Sequence, residues 1–125
     1  MALSLAKIGT WRFDIASGLL HHDRRAHPVL GRDAGLAGLP RDKIHQWVHP
    51  DDAELVQAAF GEALATGRAA DTQARYLHAD GSWRVLLVRR VLQLDPQGKP
   101  MAMLGVVIDV TQQQDLAHRS AVGRT

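Results

Sequence analysis

The pattern of apolar and polar positions is clearest in the second half of the chain, where it predicts three antiparallel strands. Residues 73–78 alternate in part and end at Asp80-Gly81, a dipeptide that favours tight hairpin turns. Residues 83–94 are rich in Val and Leu and have the length of a full strand. A turn with Pro and Gly at residues 95–100 leads into a third apolar strand over residues 101–110.

The first residues predict a further hairpin. Apolar side chains alternate with polar ones over residues 10–15, which is typical of a half-buried strand. A turn at residues 16–18 and a short apolar return over residues 19–22 complete the hairpin. Before it, residues 2–8 have the pattern of the end of a helix, with Gly9 as its C-terminal stop.

The middle of the chain predicts helices. The motif His-Pro-Asp-Asp at residues 49–52 is a strong helix start, because Pro suits the first helical position and carboxylates suit the positive end of the helix dipole. An apolar stripe follows at helical spacing, and Gly67 ends the helix. The stripe consists of Leu55, Val56, Ala59, Phe60, Ala63 and Leu64. Two shorter helices are predicted over residues 23–30 and 41–48, with a loop over residues 32–40.

The last predicted strand indicates that both faces of the sheet are covered. Residues 101–110 are apolar at both odd and even positions, so we expect a central strand with both faces covered. The predicted helices cover only one face of the sheet, and the other face needs a flanking helix or a second subunit. We therefore expect a homodimer that forms through the outer sheet face and the flanking helices.

Composition excludes several classes of function. The chain has 125 residues, enough for one domain with one core, and its 46% hydrophobic and 22% charged residues are ordinary for a globular protein. With no cysteine it has no disulfide, thiolate metal site, cysteine nucleophile or cysteinyl-flavin photochemistry. No membrane-spanning run or export signal is present, which favours the cytoplasm.

Charge adds little to this interpretation. The net charge of +2 is spread along the chain and is too weak to indicate nucleic-acid binding. Arg84, Arg89 and Arg90 are expected at strand edges or on the solvent face, and nothing marks them as a phosphate site.

An ordered set of residues along most of the chain carries a family resemblance. The set consists of Gly9-Thr10-Trp11, Asp14, Ser17-Gly18, Leu30-Gly31, Val48-His49-Pro50-Asp51-Asp52, Arg75-Tyr76, Asp80-Gly81-Ser82, Arg84, Gly98, Gly105 and Asp109-Val110-Thr111. It resembles the PAS domains whose long helix begins with His-Pro-Asp-Asp, from about residue 8 to residue 114. The resemblance implies an α+β fold, a five-stranded antiparallel sheet of order 2-1-5-4-3 with helices inserted between strands 2 and 3. It also implies a small pocket between sheet and helices.

The resemblance further implies a sensory role in a larger bacterial signalling protein, a histidine kinase or a cyclic-dinucleotide enzyme with its own effector domain. It divides the chain into a flanking helix end at residues 1–9, the PAS domain at 10–111 and the start of a signalling helix at 112–125. Within the implied pocket, the candidate lining residues are Trp47, Phe60, Tyr76 and Leu104.

The end of the last strand is the candidate signal-transfer site. Asp109-Val110-Thr111 matches the Asp-Ile/Val-Thr motif of the family, and Thr111-Gln-Gln-Gln114 has the form of a capping box. Thr111 is expected to cap the outgoing helix, while Asp109 anchors the strand end to a nearby basic or amide group. The alternative is a plain strand-to-helix cap that transmits nothing.

Cofactor and metal chemistry find little support. His45 and His49 are the candidate axial ligands for haem, but the long helix, where several haem-binding members place their ligand, has no His between Asp51 and Thr66. Haem is therefore not expected. Flavin is not expected either, because the aromatic residues that could line its pocket, Trp11, Trp47, Phe60 and Trp83, are interpreted as ordinary core residues. The ligand stays unassigned. The motif at residues 49–52 is explained as a helix start without any metal.

Two functional interpretations stay open at this stage. The first is a sensor of a small ligand, and the alternative is a ligand-free module that only dimerises its parent protein. An enzyme is a distant third, because the sequence has no nucleophile–base pair and no metal constellation. We expect no catalysis by this chain alone.

Overall fold

An antiparallel sheet with helices on one face makes up the computed structural model, which describes residues 7–31 and 38–113. In chain order the elements are β1 (Ile8–Asp14), β2 (Leu19–His22), α1 (Ala26–Leu30), β3 (Leu39–Pro40), α2 (Arg41–His45), a 3₁₀ turn (Pro50–Asp52), α3 (Ala53–Thr66), β4 (Ala70–Leu77), β5 (Trp83–Leu94) and β6 (Pro100–Asp109). Residues 111–113 are helical and follow β6 directly. No helix in the described part of the chain is long and apolar enough to cross a membrane.

The sheet has six strands in the order β3-β2-β1-β6-β5-β4, not the expected five. The additional strand is β3, which pairs with β2 through Leu19–Pro40 and Leu20–Leu39. A strand of two residues has no period to read, so the sequence predicted a loop there. The long middle segment of the chain, which contains α1, α2 and α3, connects β2 to β4.

The N-terminal strand corrects one prediction. β1 begins at Ile8, so Gly9 is a buried strand residue and the prediction that it stops a helix is wrong. Glycine is needed at position 9 for a different reason, since a Cβ there would lie 2.5 Å from Cα of Ala26 in α1. Residues 2–6 of the predicted helix lie outside the described residues.

The long helix α3 follows the 3₁₀ turn and ends at Gly67, whose φ of 71° is left-handed. Its apolar stripe is narrower than predicted, since Leu55 and Leu64 are 52% and 38% exposed. The buried positions are Val56, Ala59 and Ala63. The helix packs on β4 and β5, at one side of the sheet.

The prediction of a central last strand is confirmed, because β6 lies between β1 and β5. On the inner face, toward the helices, Met103 and Val107 are buried. The outer face carries apolar side chains that no described element covers. These are Ile8, Val85, Leu87, Val91, Leu104, Val106 and Ile108.

Candidate functional site

A cavity of about 90 Å³ lies between the inner face of the sheet and the three helices. Most of its wall is apolar, from Trp11, Phe13, Leu20, Leu30, Ile44, Val48, Val56, Phe60, Val88 and Val107. The rings of Phe13 on β1 and Phe60 on α3 meet edge to face across it, with centroids 5.6 Å apart. Such an apolar cavity with few polar groups is the usual form of a small-molecule site.

The polar part of the cavity wall consists of two arginines, Tyr76 and the imidazoles of His22 and His45, so the candidate haem ligand His45 lines the cavity. Arg90 on β5 is only 4% exposed, and its Nη1 donates to Thr72 Oγ1 at 2.8 Å and to the carbonyl of Val88 at 3.3 Å. Tyr76 on β4 is also buried and shares a hydrogen bond with Arg90. Burial lowers the pKa of Arg90 and raises the pKa of Tyr76, because both charged forms lose water.

A second arginine lines the same cavity from the helix side. Arg41 begins α2, its guanidinium lies 3.8 Å from the ring centroid of Phe60, and its Nη2 donates to Gln57 Oε1 at 2.6 Å. Burial lowers the pKa of Arg41, and the positive charge of Arg90 lowers it further. Two guanidinium groups therefore share one small, mostly apolar space.

A separate group of hydrogen bonds, the strand-end junction of Val85, Asp109 and Thr111, lies where β6 ends. Asp109 Oδ1 accepts the backbone amide of Thr111 at 2.9 Å and its hydroxyl at 2.6 Å. The same hydroxyl accepts the backbone amide of Val85 on β5 at 2.9 Å. Asp109 Oδ2 lies 3.6 Å from Nη1 of Arg84, and the backbone amide of Asp109 donates to the carbonyl of Lys7 at 3.0 Å. The outgoing helix, β5 and the segment that enters β1 therefore meet at one point.

A known family model matches most of the chain. The family model described as the PAS fold matches residues 19–107 of the chain. The chain belongs to the PAS family. It is 35% identical over 100 residues, 80% of its length, to the two-component sensor PprA of Pseudomonas aeruginosa, of which it spans 10%.

Solved structures are similar over nearly the whole PAS domain. The sensory box histidine kinase/response regulator from Burkholderia thailandensis E264 superimposes with a TM-score of 0.77 at 26% identity, over 95% of this chain and 88% of that one. The N-terminal domain of a diguanylate cyclase with PAS/PAC sensor from Marinobacter aquaeolei gives a TM-score of 0.77 at 19% identity, over 86% and 99% of the two chains. This chain is a sensory PAS module of the kind that bacterial signalling proteins contain.

The structure brings two of the four candidate pocket residues of this PAS domain into the cavity. Phe60 and Tyr76 line it, whereas Trp47 and Leu104 are not among its described lining residues. Leu104 is on the outer face because its neighbour Met103 occupies the inner one. Trp47 precedes the 3₁₀ turn, where its carbonyl accepts the amide of Leu77 at 2.7 Å.

Sequence reasoning missed the two cavity arginines. Arg90 was expected at a strand edge or on the solvent face, and this expectation is wrong because the side chain is buried. The signal was the alternation along β5, in which Leu86, Val88 and Arg90 share one face. Arg41 had no comparable signal, since α2 is too short for a clear period.

The motif at residues 49–52 connects the long helix of the PAS domain to the sheet. His49 caps the 3₁₀ turn, its Nδ1 accepting the backbone amide of Asp51 at 3.1 Å, and its ring lies 4.8 Å from that of Trp83. Asp52 forms an ion pair with Arg75 on β4. Within residues 7–31 and 38–113, no three His, Asp or Glu side chains come together as a metal site requires.

Proposed function

We propose that this PAS domain senses a small ligand in the cavity and passes the change to the helix that begins at Thr111. One observation carries the proposal. Val107 lines the cavity and Asp109 forms the strand-end junction, and the two residues are two positions apart on β6. Alternate residues of a strand share a face, so a displacement of Val107 moves the carboxylate that holds the helix start.

A second connection supports the same route. Tyr76, at the cavity, lies directly across the β4–β5 pair from Arg84, whose guanidinium is 3.6 Å from the Asp109 carboxylate. A ligand that moves Tyr76 or Val107 changes the distances in the strand-end junction. The hydroxyl of Thr111 both donates to Asp109 and accepts from Val85, so a small shift changes two hydrogen bonds of the outgoing helix together.

The receiving effector belongs to a longer parent protein in this proposal. The chain spans a tenth of its two-component sensor relative, and structural neighbours include a histidine kinase and a diguanylate cyclase. We therefore propose a cytoplasmic histidine kinase or cyclic-dinucleotide enzyme as the parent, with no catalysis by the PAS domain itself. In this scheme the helical residues 111–113 begin the connecting helix, and residues 114–125 of the predicted signalling helix lie outside the described residues.

The apolar outer face of the sheet supports a homodimer. Ile8 and Val91 on this face are 47% and 42% exposed, and Leu104, Val106 and Ile108 lie half-buried between them. Arg12, Arg89 and Gln93 also lie on this face, so the exposed apolar side chains form a patch with polar neighbours, and such a patch typically marks an interface. The same observation favours a second candidate function, a ligand-free module that only dimerises the parent protein.

Native mass spectrometry on freshly purified protein separates the two functions. A ligand mass bound to the domain supports the sensor, and a dimer without added mass supports the dimerisation module. In the parent protein, Asp109→Ala is expected to abolish ligand-dependent regulation of the effector while the domain stays folded. The matched control is Asp95→Ala. It also removes a carboxylate that accepts hydrogen bonds, in this case from the backbone amides of Gln97 and Lys99 at the far end of the β5–β6 hairpin. Unchanged regulation in Asp109→Ala would contradict the route through the strand-end junction.

A further inference from the structure

The cavity contains two positive groups and lacks a matching negative one. Arg90 and Arg41 both line it, and among the residues that the structure describes no carboxylate is within ion-pair distance of either. Asp71, on the strand next to Arg90, pairs instead with Arg89 on the outer face, at 2.9 and 3.2 Å. The hydrogen-bond acceptors of Arg90 are neutral oxygens of Thr72, Val88 and Tyr76.

This arrangement is costly for the protein without a ligand. A buried charge is normally paired, because an unpaired one loses its hydration free energy without compensation. Two like charges in one cavity also repel each other. A guanidinium has five N–H donors in a fixed fork that suits carboxylate oxygens in a bidentate geometry. An anion between the two arginines removes the repulsion and accepts from guanidinium N–H groups that have no carboxylate partner among the described residues.

We propose that the cavity binds a small organic carboxylate, with its carboxylate against Arg90 and Arg41 and its hydrocarbon part against Phe13, Val88 and Val107. This proposal rests on the proposed function, because it names the ligand class of the same site. Tyr76 is placed to donate its hydroxyl to the same carboxylate, as its pKa is raised and the phenol keeps its proton.

The volume of the cavity and the polarity of its wall restrict the class of ligand further. An apolar cavity of about 150 Å³ holds benzene, and this cavity measures about 90 Å³. The ligand is therefore a short aliphatic acid in preference to an aromatic one. Inorganic phosphate fits less well, because it satisfies the arginines and leaves the apolar wall of Phe13, Leu20 and Ile44 uncovered.

Calorimetry and thermal unfolding with three probes test this assignment. The probes are sodium butyrate, butan-1-ol as a neutral molecule with the same hydrocarbon chain, and inorganic phosphate. We expect butyrate to bind and to raise the midpoint of unfolding with concentration. Butan-1-ol and phosphate are expected to bind at least tenfold more weakly, since each lacks one of the two complementary parts.

Variants then connect the binding to the arginines. Arg90→Gln and Arg41→Gln are each expected to weaken butyrate binding roughly 10- to 100-fold, the usual loss for a charge-assisted hydrogen bond. Arg89→Gln is the matched control, because it changes the adjacent arginine of β5 that is on the outer face, and its butyrate affinity is expected to equal that of the wild type. If Arg90→Gln does not fold, Arg41→Gln decides alone, since Arg41 is only partly buried.

Several results overturn the proposal. Equal binding of butan-1-ol and butyrate shows a neutral ligand site, which refutes the carboxylate and leaves the proposed sensor intact. Equal binding of phosphate and butyrate shows a site for anions without an apolar part. Loss of butyrate binding in Arg89→Gln, or no binding of butyrate to the wild type, refutes the assignment as well. The proposed function is tested separately. A purified domain without a ligand favours the dimerisation module, and unchanged regulation of the parent protein in Asp109→Ala contradicts the route through the strand-end junction.

Discussion

Asp52 accepts hydrogen bonds from the guanidinium of Arg75 with both carboxylate oxygens, at 2.9 and 3.0 Å. Its Oδ2 also accepts the backbone amide of Arg75 at 2.8 Å. Asp52 ends the 3₁₀ turn before α3 and Arg75 lies in β4, so these contacts attach the start of the long helix to the edge strand of the sheet. The side-chain hydrogen bonds from Arg75 lower the pKa of Asp52 from 3.8 to about 2.

The stability of the domain is expected to depend on this ion pair at acidic pH. Because the pKa of Asp52 is lower in the folded than in the unfolded state, its contribution is complete above about pH 4 and is lost as the pH falls toward 2. Asp52→Asn should lower the free energy of unfolding by about 1 kcal/mol at neutral pH, a modest value because the Arg75 side chain is 42% exposed. Urea unfolding at a series of pH values measures both effects.

Asp51→Asn is the matched control for this prediction. Its side chain is 76% exposed and lies 3.9 Å from the Arg75 guanidinium, so its removal should change stability little at any pH. Equal losses in the two variants would show that the charge near the helix start matters and the bidentate contact does not.

Gly9 tests the contact between β1 and α1. A Cβ at this position would overlap the backbone of Ala26, so Gly9→Ala should lower the free energy of unfolding by roughly 1–3 kcal/mol.

Gly61→Ala is the opposite case, because Gly61 lies within α3 with no atom near its missing Cβ, and alanine should stabilise the helix by about 0.5–1 kcal/mol. Chemical unfolding of both variants gives the comparison, and a neutral Gly9→Ala would mean that α1 moves easily away from β1.

Periodic segments with clear end signals could be predicted from sequence. The strand predicted over residues 83–94 is observed as β5 with those bounds, and Gly67 ends α3 as expected. Both segments are long enough to show a recognisable hydrophobic period even where single residues depart from it. β3 was missed for the opposite reason, since two residues that pair with Leu19 and Leu20 have no period of their own.

The cavity was less predictable because it depends on which side each residue faces. β6 is apolar on both faces, so its sequence alone does not tell that Leu104 faces outward and Val107 inward. Arg90 is the reverse case. Arginine side chains are mostly exposed to solvent, but the alternation along β5 places this one in the core. A buried cation goes against the general pattern of sequences, and such exceptions concentrate at functional sites.

The hydroxyl of Thr111 is expected to protect the backbone amide of Val85, at the start of β5, from hydrogen exchange. Thr111→Val removes the acceptor of the Val85 amide and the donor to Asp109, and valine keeps the shape of the side chain. Hydrogen exchange at the Val85 amide should become roughly 3- to 10-fold faster. Thr10→Val, at an exposed strand position of β1, should leave this rate unchanged. An unchanged rate in Thr111→Val would mean that the backbone pairing of β5 with β6 protects Val85 by itself.

The outer sheet face is expected to form the dimer interface. Val91→Lys and Ile8→Lys each put a charge on this face, at side chains 42% and 47% exposed in the single chain, so the monomer should fold normally. Burial of the new charge in a dimer should raise the dissociation constant roughly 10-fold or more in light scattering and sedimentation. Leu55→Lys is the matched control, since Leu55 is 52% exposed on α3, away from the sheet face. Dissociation by Leu55→Lys alone would move the interface to the helix layer, and a monomeric wild type would refute the dimer.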